Sequence, residues 1–398
     1  MDMLLFLGLI LISGLIGGKL AKLIKLPSIV GYLLAGVLLG NSALNIFSLE
    51  MLEKATIFND FALGIVAYII GSEIRIDALR QLGKGVMILL FAEALGAVFL
   101  VTLCVYFLTH QAHIALIFGA LAAATAPAGT VAVLRECKAK GPLTNTIYAI
   151  VAMDDGLAII IYAFAAAVAK VLITGNSISF VEVAKGPVIE ILGSVLLGGS
   201  IGIILGYFAR KQRSKPGILA VTLGSILVCT GLSNYFHLSL ILANMSLSMV
   251  FASIFLLANR RASATIDFIT TVVFIIFFVM AGAHLQIALL PAMGLLGLTY
   301  IVSRSIGKMG GAYLGGVASK AKPVIRKYLG LGLLSQAGVA IGLAILATKE
   351  FGSMGGVGQD LAILVINTIT ATTIIFEIIG PITAKIAISR AGEMHTRK

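Results

Sequence analysis

Two adjacent aspartates, Asp154 and Asp155, stand inside an apolar stretch of the sequence. The residues from Ile150 to Met153 are apolar, and after Gly156 the apolar sequence continues for more than two helical turns. Within a lipid bilayer each ionised carboxylate costs at least about 2.5–3.5 kcal/mol, and two neighbouring negative charges also repel each other. A buried carboxylate that binds either a cation or a proton, but not both, can couple the movement of the cation to that of the proton. The competing interpretation is that one aspartate caps a broken helix.

Two basic residues lie in a similar apolar setting. Arg304 and Lys308 are four positions apart and therefore share one face of a helix. Lys308 is a candidate partner for the paired aspartates. Arg304 could instead pack against Glu93, which lies well inside another apolar run. For Glu93 and Arg304 a structural ion pair and a functional role remain equally open.

Two polar, helix-breaking stretches accompany these charges. The first contains Thr125, Ala126, Pro127, Gly129 and Thr130, and the second contains Ser335, Gln336 and Gly338. Proline removes a backbone donor and glycine relaxes the chain, so each stretch frees carbonyl groups. Unwound backbone in a membrane is tolerated only where it is buried or lines a cavity. A simple kink is the alternative, but two such stretches favour a centre that handles cations.

The composition places these residues in a membrane. Of the 398 residues, 59% are apolar and only 12% are charged, whereas soluble domains carry about 25% charge. This excludes a cytosolic enzyme, a disordered regulator and a disulfide-stapled secreted domain. The net charge of +12 does not indicate nucleic-acid binding, because the basic residues sit in short loops between apolar runs. We therefore predict an all-α membrane protein.

Thirteen apolar runs are candidate membrane spans. They lie near 3–22, 27–41, 56–72, 85–108, 113–134, 145–169, 188–209, 217–234, 238–258, 266–284, 289–318, 328–348 and 361–384. With the N-terminus outside, most of the 29 Lys and Arg residues fall on one side, which predicts a cytoplasmic C-terminus. The first six spans then begin outside and the last six inside. This pattern permits two inverted six-helix repeats joined by the seventh span.

Several motifs together resemble the monovalent cation:proton antiporters. They are LPSIVGYLLAG at 26–36, IGSEI at 70–74, FFVMAGAHL at 277–285 and LSQAGVAIG at 334–342. Met153-Asp154-Asp155 resembles the paired-aspartate motif of the Kef/NapA-like bacterial Na⁺/H⁺ exchanger branch. The resemblance spans essentially the whole chain.

The resemblance implies a homodimer in the cytoplasmic membrane that contacts lipids and monovalent cations, with no nucleic acid and no cofactor besides the transported Na⁺ and H⁺. It implies two inverted repeats with two crossing broken helices. Scaffold and dimer helices would occupy 1–84 and 211–286, core helices 85–170 and 287–398 with a basic cytoplasmic tail, and a linker helix 171–210. Many Kef-type relatives carry a nucleotide-binding regulatory domain, which this sequence does not show.

The same resemblance implies roles for individual residues. Asp155 is similar to the essential carboxylate that binds the ion and the proton, so that Asp154 and Asp155 would ligate Na⁺. Asp154 is similar to the partner that Lys308 holds and releases. Electroneutral relatives usually have Asn at the position of Asp154, so the aspartate favours electrogenic exchange.

The expected function is exchange of Na⁺ or Li⁺ for H⁺ by an elevator-type mechanism that serves pH homeostasis. K⁺/H⁺ exchange or K⁺ efflux on the same fold is the alternative, because cation choice depends on cavity size and oxygen geometry. An intramembrane aspartyl protease would need its aspartates on separate helices. A passive channel would not need titratable acids beside a buried lysine. The sequence has no phosphate-binding loop and no nucleophile elbow, so we expect neither an ATP-driven pump nor an enzyme.

Overall fold

The computed structural model describes residues 2–40, 43–72, 76–174, 180–284, 294–352 and 354–395, and within these ranges the regular structure is helical. The helices are α1 (Met3–Leu23), α2 (Ser28–Leu39), α3 (Leu49–Lys54), α4 (Thr56–Ser72), α5 (Ile76–Thr109), α6 (Ala112–Ala122), α7 (Pro127–Glu136), α8 (Pro142–Val151), α9 (Asp154–Thr174), α10 (Phe180–Lys211), α11 (Lys215–Tyr235), α12 (Leu240–Ile254), α13 (Leu256–His284), α14 (Gly294–Ala318), α15 (Pro323–Gly332), α16 (Gly338–Gly352) and α17 (Gly356–Arg390). Glu73 and Ile74 of one predicted motif and Leu285 of another lie outside the described residues, as do the end of the predicted span 27–41 and the start of the span 289–318.

Three predicted spans are divided into two helices each. The span 113–134 forms α6 and α7, and the span 328–348 forms α15 and α16. In the span 145–169 a turn at Ala152 and Met153 separates α8 from α9. The helix is therefore broken at the aspartates, as the competing interpretation of the sequence allowed. This turn contains neither proline nor glycine, so the sequence gives no local sign of it. The total of thirteen spans and the inverted repeats remain predictions.

The helices have the length and composition that a membrane requires. Eight of the described helices or merged helix pairs are long and apolar enough to cross a bilayer, and α2, α4 and α12 are shorter apolar helices. Large apolar side chains also remain exposed, among them Leu4 of α1 at 79% and Phe99 of α5 at 69%. Lipid contact satisfies such side chains, whereas water does not. The chain is therefore a multi-pass membrane protein.

The chain divides into two compact units. Unit 1 comprises Met1–Gly83 and Val188–His284, and unit 2 comprises Lys84–Pro187 and Leu285–Lys398. In unit 1, α13 packs against α1, α2 and α4, and α12 packs against α4 and α11. The first and third quarters of the sequence thus form one folded body.

Unit 2 contains the four half-helices that come from the two polar stretches. In this unit α6 packs against α9, α16 and α17, and α15 packs against α8, α14 and α17. Its core is rich in small side chains, including Ala115, Ala122, Ala340 and Ala344. Small residues let helix backbones approach closely in a membrane, which brings polar groups from different helices within hydrogen-bonding distance.

Candidate functional site

Asp154 and Asp155 lie in the first turn of α9, directly after the turn at Ala152 and Met153. Their exposed fractions are 1% and 6%, and among the described residues none of their four carboxylate oxygens has a hydrogen-bond partner. The positive end of the helix dipole favours negative charge at this position. Burial without a partner nevertheless makes an ionised carboxylate costly. The pair is therefore suited to take up a proton or a cation.

Lys308 lies beside the aspartates but is bonded to other groups. Its Nζ donates to Oε2 of Glu93 at 2.6 Å and to Oγ1 of Thr125 at 2.6 Å. The side chains of Lys308 and Glu93 are fully buried, and Oε1 of Glu93 has no hydrogen-bond partner within the described ranges. Lys308 and Glu93 are both close enough to Asp154 to act on it electrostatically. The resemblance implied a Lys308–Asp154 pair, whereas the structure pairs Lys308 with Glu93.

Close packing of α5 against α14 explains the Glu93–Lys308 pair. A Cβ atom at Gly307 would lie 2.6 Å from the carbonyl oxygen of Gly96, and a Cβ at Gly96 would lie 2.7 Å from the carbonyl oxygen of Gly307. Only glycine permits the two backbones to meet at this distance. Glu93 is one turn from Gly96 and Lys308 follows Gly307, so the contact places the two charged side chains opposite each other.

Arg304 does not pair with Glu93, contrary to one of the two expectations for it. Its guanidinium donates to the carbonyl oxygens of Ala122 at 3.2 Å, Ala124 at 2.7 Å and Leu334 at 2.8 Å. It also lies 4.4 Å from the ring centroid of Phe376. The freed carbonyls predicted to handle a cation are thus bonded to a cationic side chain of the protein itself. The physical reason is geometric, since a guanidinium has five donors in a fixed fork and can bridge two broken helices.

The two breaks are joined to each other by direct hydrogen bonds. The backbone N–H of Ala126 donates to the carbonyl oxygen of Ser335 at 2.9 Å. Thr130 Oγ1 donates to the carbonyl oxygen of Gly332 at 3.1 Å and to Ser335 Oγ at 3.3 Å. Pro127 is the first residue of α7, where its missing N–H costs nothing. The breaks therefore form one connected polar centre inside unit 2.

The remaining members of the two stretches also lie at this centre. Gln336 Nε2 donates to the carbonyl oxygen of Leu121 at 2.9 Å and to the hydroxyl of Tyr300 at 2.7 Å. A Cβ at Gly129 would lie 3.4 Å from Ser335 Oγ, and Gly338 is the first residue of α16. All the residues selected from the two stretches thus lie at or beside the breaks.

Sequence reasoning missed three residues of this region. Tyr300 accepts a hydrogen bond from Gln336, and the ring of Phe376 lies against the Arg304 guanidinium. Glu393 binds the start of α8. Tyr300 was detectable, because Tyr300, Arg304 and Lys308 recur at intervals of four along one face of α14. Phe376 and Glu393 have no such signal, since an aromatic residue in a span and an acid near the chain end are both common.

A membrane bundle with buried acids and bases beside two crossing broken helices defines the class of secondary ion transporters. Within that class, the chain belongs to the sodium/hydrogen exchanger transmembrane family, whose sequence model matches residues 7–387. It is 25% identical over 356 residues to the Na⁺/H⁺ antiporter of Enterococcus hirae, a match that covers 86% of this chain and 88% of that protein. The family expected from the motifs is confirmed, and the chain is a transporter rather than an enzyme.

Solved structures of the sodium proton antiporter MjNhaP1 from Methanocaldococcus jannaschii have a similar fold. The structure at pH 8 has a TM-score of 0.68 at 19% identity and covers 97% of this chain and 95% of that chain. A structure from an electron-microscopy map has a TM-score of 0.77 at 18% identity and covers 100% of both chains. The predicted fold class, an all-helical membrane protein with an antiporter fold, is confirmed.

Proposed function

We propose that this protein exchanges Na⁺ for H⁺ across the cytoplasmic membrane and accepts Li⁺ in place of Na⁺. The observation that carries this proposal is the burial of Asp154 and Asp155, whose four carboxylate oxygens have no hydrogen-bond partner among the residues that the structure describes. Membership of the sodium/hydrogen exchanger family and the similarity to the Enterococcus hirae antiporter support the choice of sodium. No resident cofactor is required by this chemistry.

Competition at the aspartates provides the coupling. Carboxylate oxygens are hard ligands that suit small cations such as Na⁺. Asp155 binds the cation together with Asp154 and water, and a proton on the same carboxylate displaces it. The carbonyls of Ala122, Ala124 and Leu334 already accept hydrogen bonds from Arg304, so the cation depends mainly on the two acids.

Alternating access is proposed to follow the elevator pattern. Unit 2 holds the aspartates, Glu93, Arg304, Lys308 and both breaks, so it can carry the complete site as one body. Unit 1 then acts as the scaffold and contributes the interface of a homodimer. The proposed orientation has the N-terminus outside and the basic C-terminal tail in the cytoplasm, as the distribution of Lys and Arg favours. Asp at position 154 supports electrogenic exchange with more protons than cations per cycle.

Substitution of Asp155 tests the site. Asp155→Asn removes the negative charge and the proton-binding oxygen at nearly constant volume, so we expect it to abolish exchange while the protein stays folded. Asp360→Asn, at an exposed acid of α17 in the same unit, is the matched control and is expected to exchange normally. Folding is checked by thermal unfolding in detergent.

The assay uses proteoliposomes with an imposed pH gradient and a pH-reporting dye, to which Na⁺, Li⁺ and K⁺ are added in turn. We expect Na⁺ and Li⁺, but not K⁺, to collapse the gradient. A response to K⁺ alone would replace the sodium assignment by potassium exchange at the same site. Substantial cation-dependent proton movement in Asp155→Asn would contradict the role of Asp155.

A further inference from the structure

The charges around Lys308 do not balance. Three buried carboxylates, those of Glu93, Asp154 and Asp155, lie within electrostatic reach of this ammonium group, and of these Glu93 is the one bonded to it in the described structure. Arg304 is nearby but its donors are directed to backbone carbonyls at the crossing. Lys308 can therefore neutralise one carboxylate at a time. The others require a cation or a proton.

The structure shows the arrangement that suits a bound cation. With Lys308 on Glu93, neither oxygen of Asp154 accepts a hydrogen bond from the part of the chain that the structure describes, and both are available as ligands. When the cation leaves, Asp154 becomes an uncompensated buried charge, and Lys308 is the ammonium group close enough to act on it. A move of Lys308 toward Asp154 leaves the Glu93 carboxylate without its partner at 0% exposure. A buried carboxylate in that condition is costly as an ion and takes up a proton.

We propose that Glu93 is a second proton carrier of the exchange, which binds a proton whenever Lys308 leaves it for Asp154. This inference rests on the proposed Na⁺/H⁺ exchange and assigns one of its protons. The proton enters from water on the side where the cation was released, converts the Glu93 carboxylate to the acid, and leaves when Lys308 returns. The bases that face Glu93 are Lys308 and Arg304, both on α14, and the nearby acid is Asp154 on α9.

This assignment determines the charge that moves in each half-cycle. Arg304 keeps its positive charge in every state and therefore does not affect the difference between states. Apart from Arg304, Na⁺ and Lys308 oppose three ionised carboxylates in the loaded state, which gives a net charge of minus one. In the returning state Asp155 and Glu93 are protonated and Lys308 neutralises Asp154, which gives zero. One cation is then exchanged for two protons, and the cycle is electrogenic. With an uncharged residue at 93, both states are neutral and the exchange becomes one for one.

The test is the Na⁺ gradient that balances a fixed pH gradient in proteoliposomes whose membrane potential is clamped at zero. For wild type, a tenfold proton gradient should balance about a hundredfold Na⁺ gradient, because the proton number sets the power of the dependence. For Glu93→Gln it should balance about a tenfold gradient. The apparent KM for Na⁺ should also rise in this variant, since Lys308 then competes with the cation for Asp154.

Two further variants isolate the effect. Glu377→Gln neutralises another buried carboxylate of unit 2, on α17, and should keep the wild-type ratio. Glu93→Asp retains a carboxylate at this position and should also keep the wild-type ratio of protons to cations. A hundredfold balance in Glu93→Gln, or loss of all exchange in folded Glu93→Gln, would overturn the proposal. If Glu93→Gln does not fold, a wild-type protein whose Na⁺ gradient balances at only about tenfold overturns the proposal. Wild type that shows no exchange at all rejects the proposed Na⁺/H⁺ exchange instead.

Discussion

Arg304 supplies the hydrogen bonds that the two broken helices lose where they unwind. Each buried carbonyl that a broken helix leaves unpaired in a membrane must find a donor, and the Arg304 guanidinium reaches four of them. Three of these depend on Arg304, because the fourth, that of Ser335, also accepts from the Ala126 N–H. The ring of Phe376 covers the face of this group. A single side chain thus joins α6, the segment between α6 and α7, and the segment between α15 and α16. Arg304 thus bonds the backbone of the two breaks, whereas Lys308 bonds the carboxylate of Glu93.

Replacement of Arg304 should therefore lower the free energy of unfolding of the protein. Arg304→Met keeps most of the side-chain volume but leaves three buried carbonyls without donors, at about 1–3 kcal/mol each. We expect a loss of at least about 3 kcal/mol in the free energy of unfolding. Thermal unfolding in detergent measures it, with exposed Arg260→Met as the control. An unchanged Tm would show that the carbonyls have other partners.

The contact between α5 and α14 determines the geometry of the charged pair. The backbones of Gly96 and Gly307 are in contact. This contact places the Lys308 Nζ 2.6 Å from the Glu93 Oε2, with both side chains fully buried. A side chain at this contact would clash with the facing backbone and force the helices apart, which is expected to weaken the Glu93–Lys308 pair.

Gly307→Ala tests the role of this helix pair. The new methyl group would lie 2.6 Å from the Gly96 carbonyl oxygen, so we expect a destabilisation of about 1–3 kcal/mol and slower exchange. Gly310→Ala is the matched control on the same helix, because its Cβ would meet no atom within 4 Å. That control should be as stable as wild type or slightly more so, since alanine favours helix. Equal Tm and exchange rate in the two variants would contradict the argument.

At the scale of the whole molecule, the last described residues are hydrogen-bonded to residues 137–144, far earlier in the sequence. The carboxylate of Glu393 accepts hydrogen bonds from the backbone N–H groups of Leu143 and Thr144 at 2.8 and 2.7 Å and from Thr144 Oγ1 at 2.6 Å. The backbone N–H of Lys140 donates to the Glu393 carbonyl oxygen at 3.0 Å, and that of His395 donates to the Cys137 carbonyl oxygen at 3.1 Å. Glu393 thereby caps α8, the helix that leads to the aspartates.

Glu393→Ala should destabilise unit 2 through the start of α8. It removes an ionised cap and leaves the first N–H groups of the helix without an acceptor, which costs about 2 kcal/mol. Thermal unfolding is the measurement. Glu50→Ala is the control, because Glu50 is exposed and its ion pair with Lys54 adds little to stability. A Glu393→Ala variant as stable as the control would show that the cap is dispensable.

The sequence by itself determined the class of protein, and it selected the residues of the candidate site. Asp154, Asp155 and Lys308 can be recognised from the sequence alone. The cost of a charge in a bilayer depends on the type of residue and on its apolar neighbours along the chain, and both are visible in the sequence. The breaks at Pro127 and between Ser335 and Gly338 are also visible locally, since proline, glycine and polar residues weaken a helix wherever it packs.

Only the tertiary structure decided how the charges are paired. Arg304 and Lys308 lie one turn apart on the same face of α14, so their spacing permits either of them to reach Glu93. The choice depends on the approach of Gly96 to Gly307 and on the carbonyls that α6 and the segment after α15 present to Arg304. The cap by Glu393 likewise comes from a contact between distant segments. Pairing is a property of distances between helices, and those distances are set by packing that no single stretch of sequence contains.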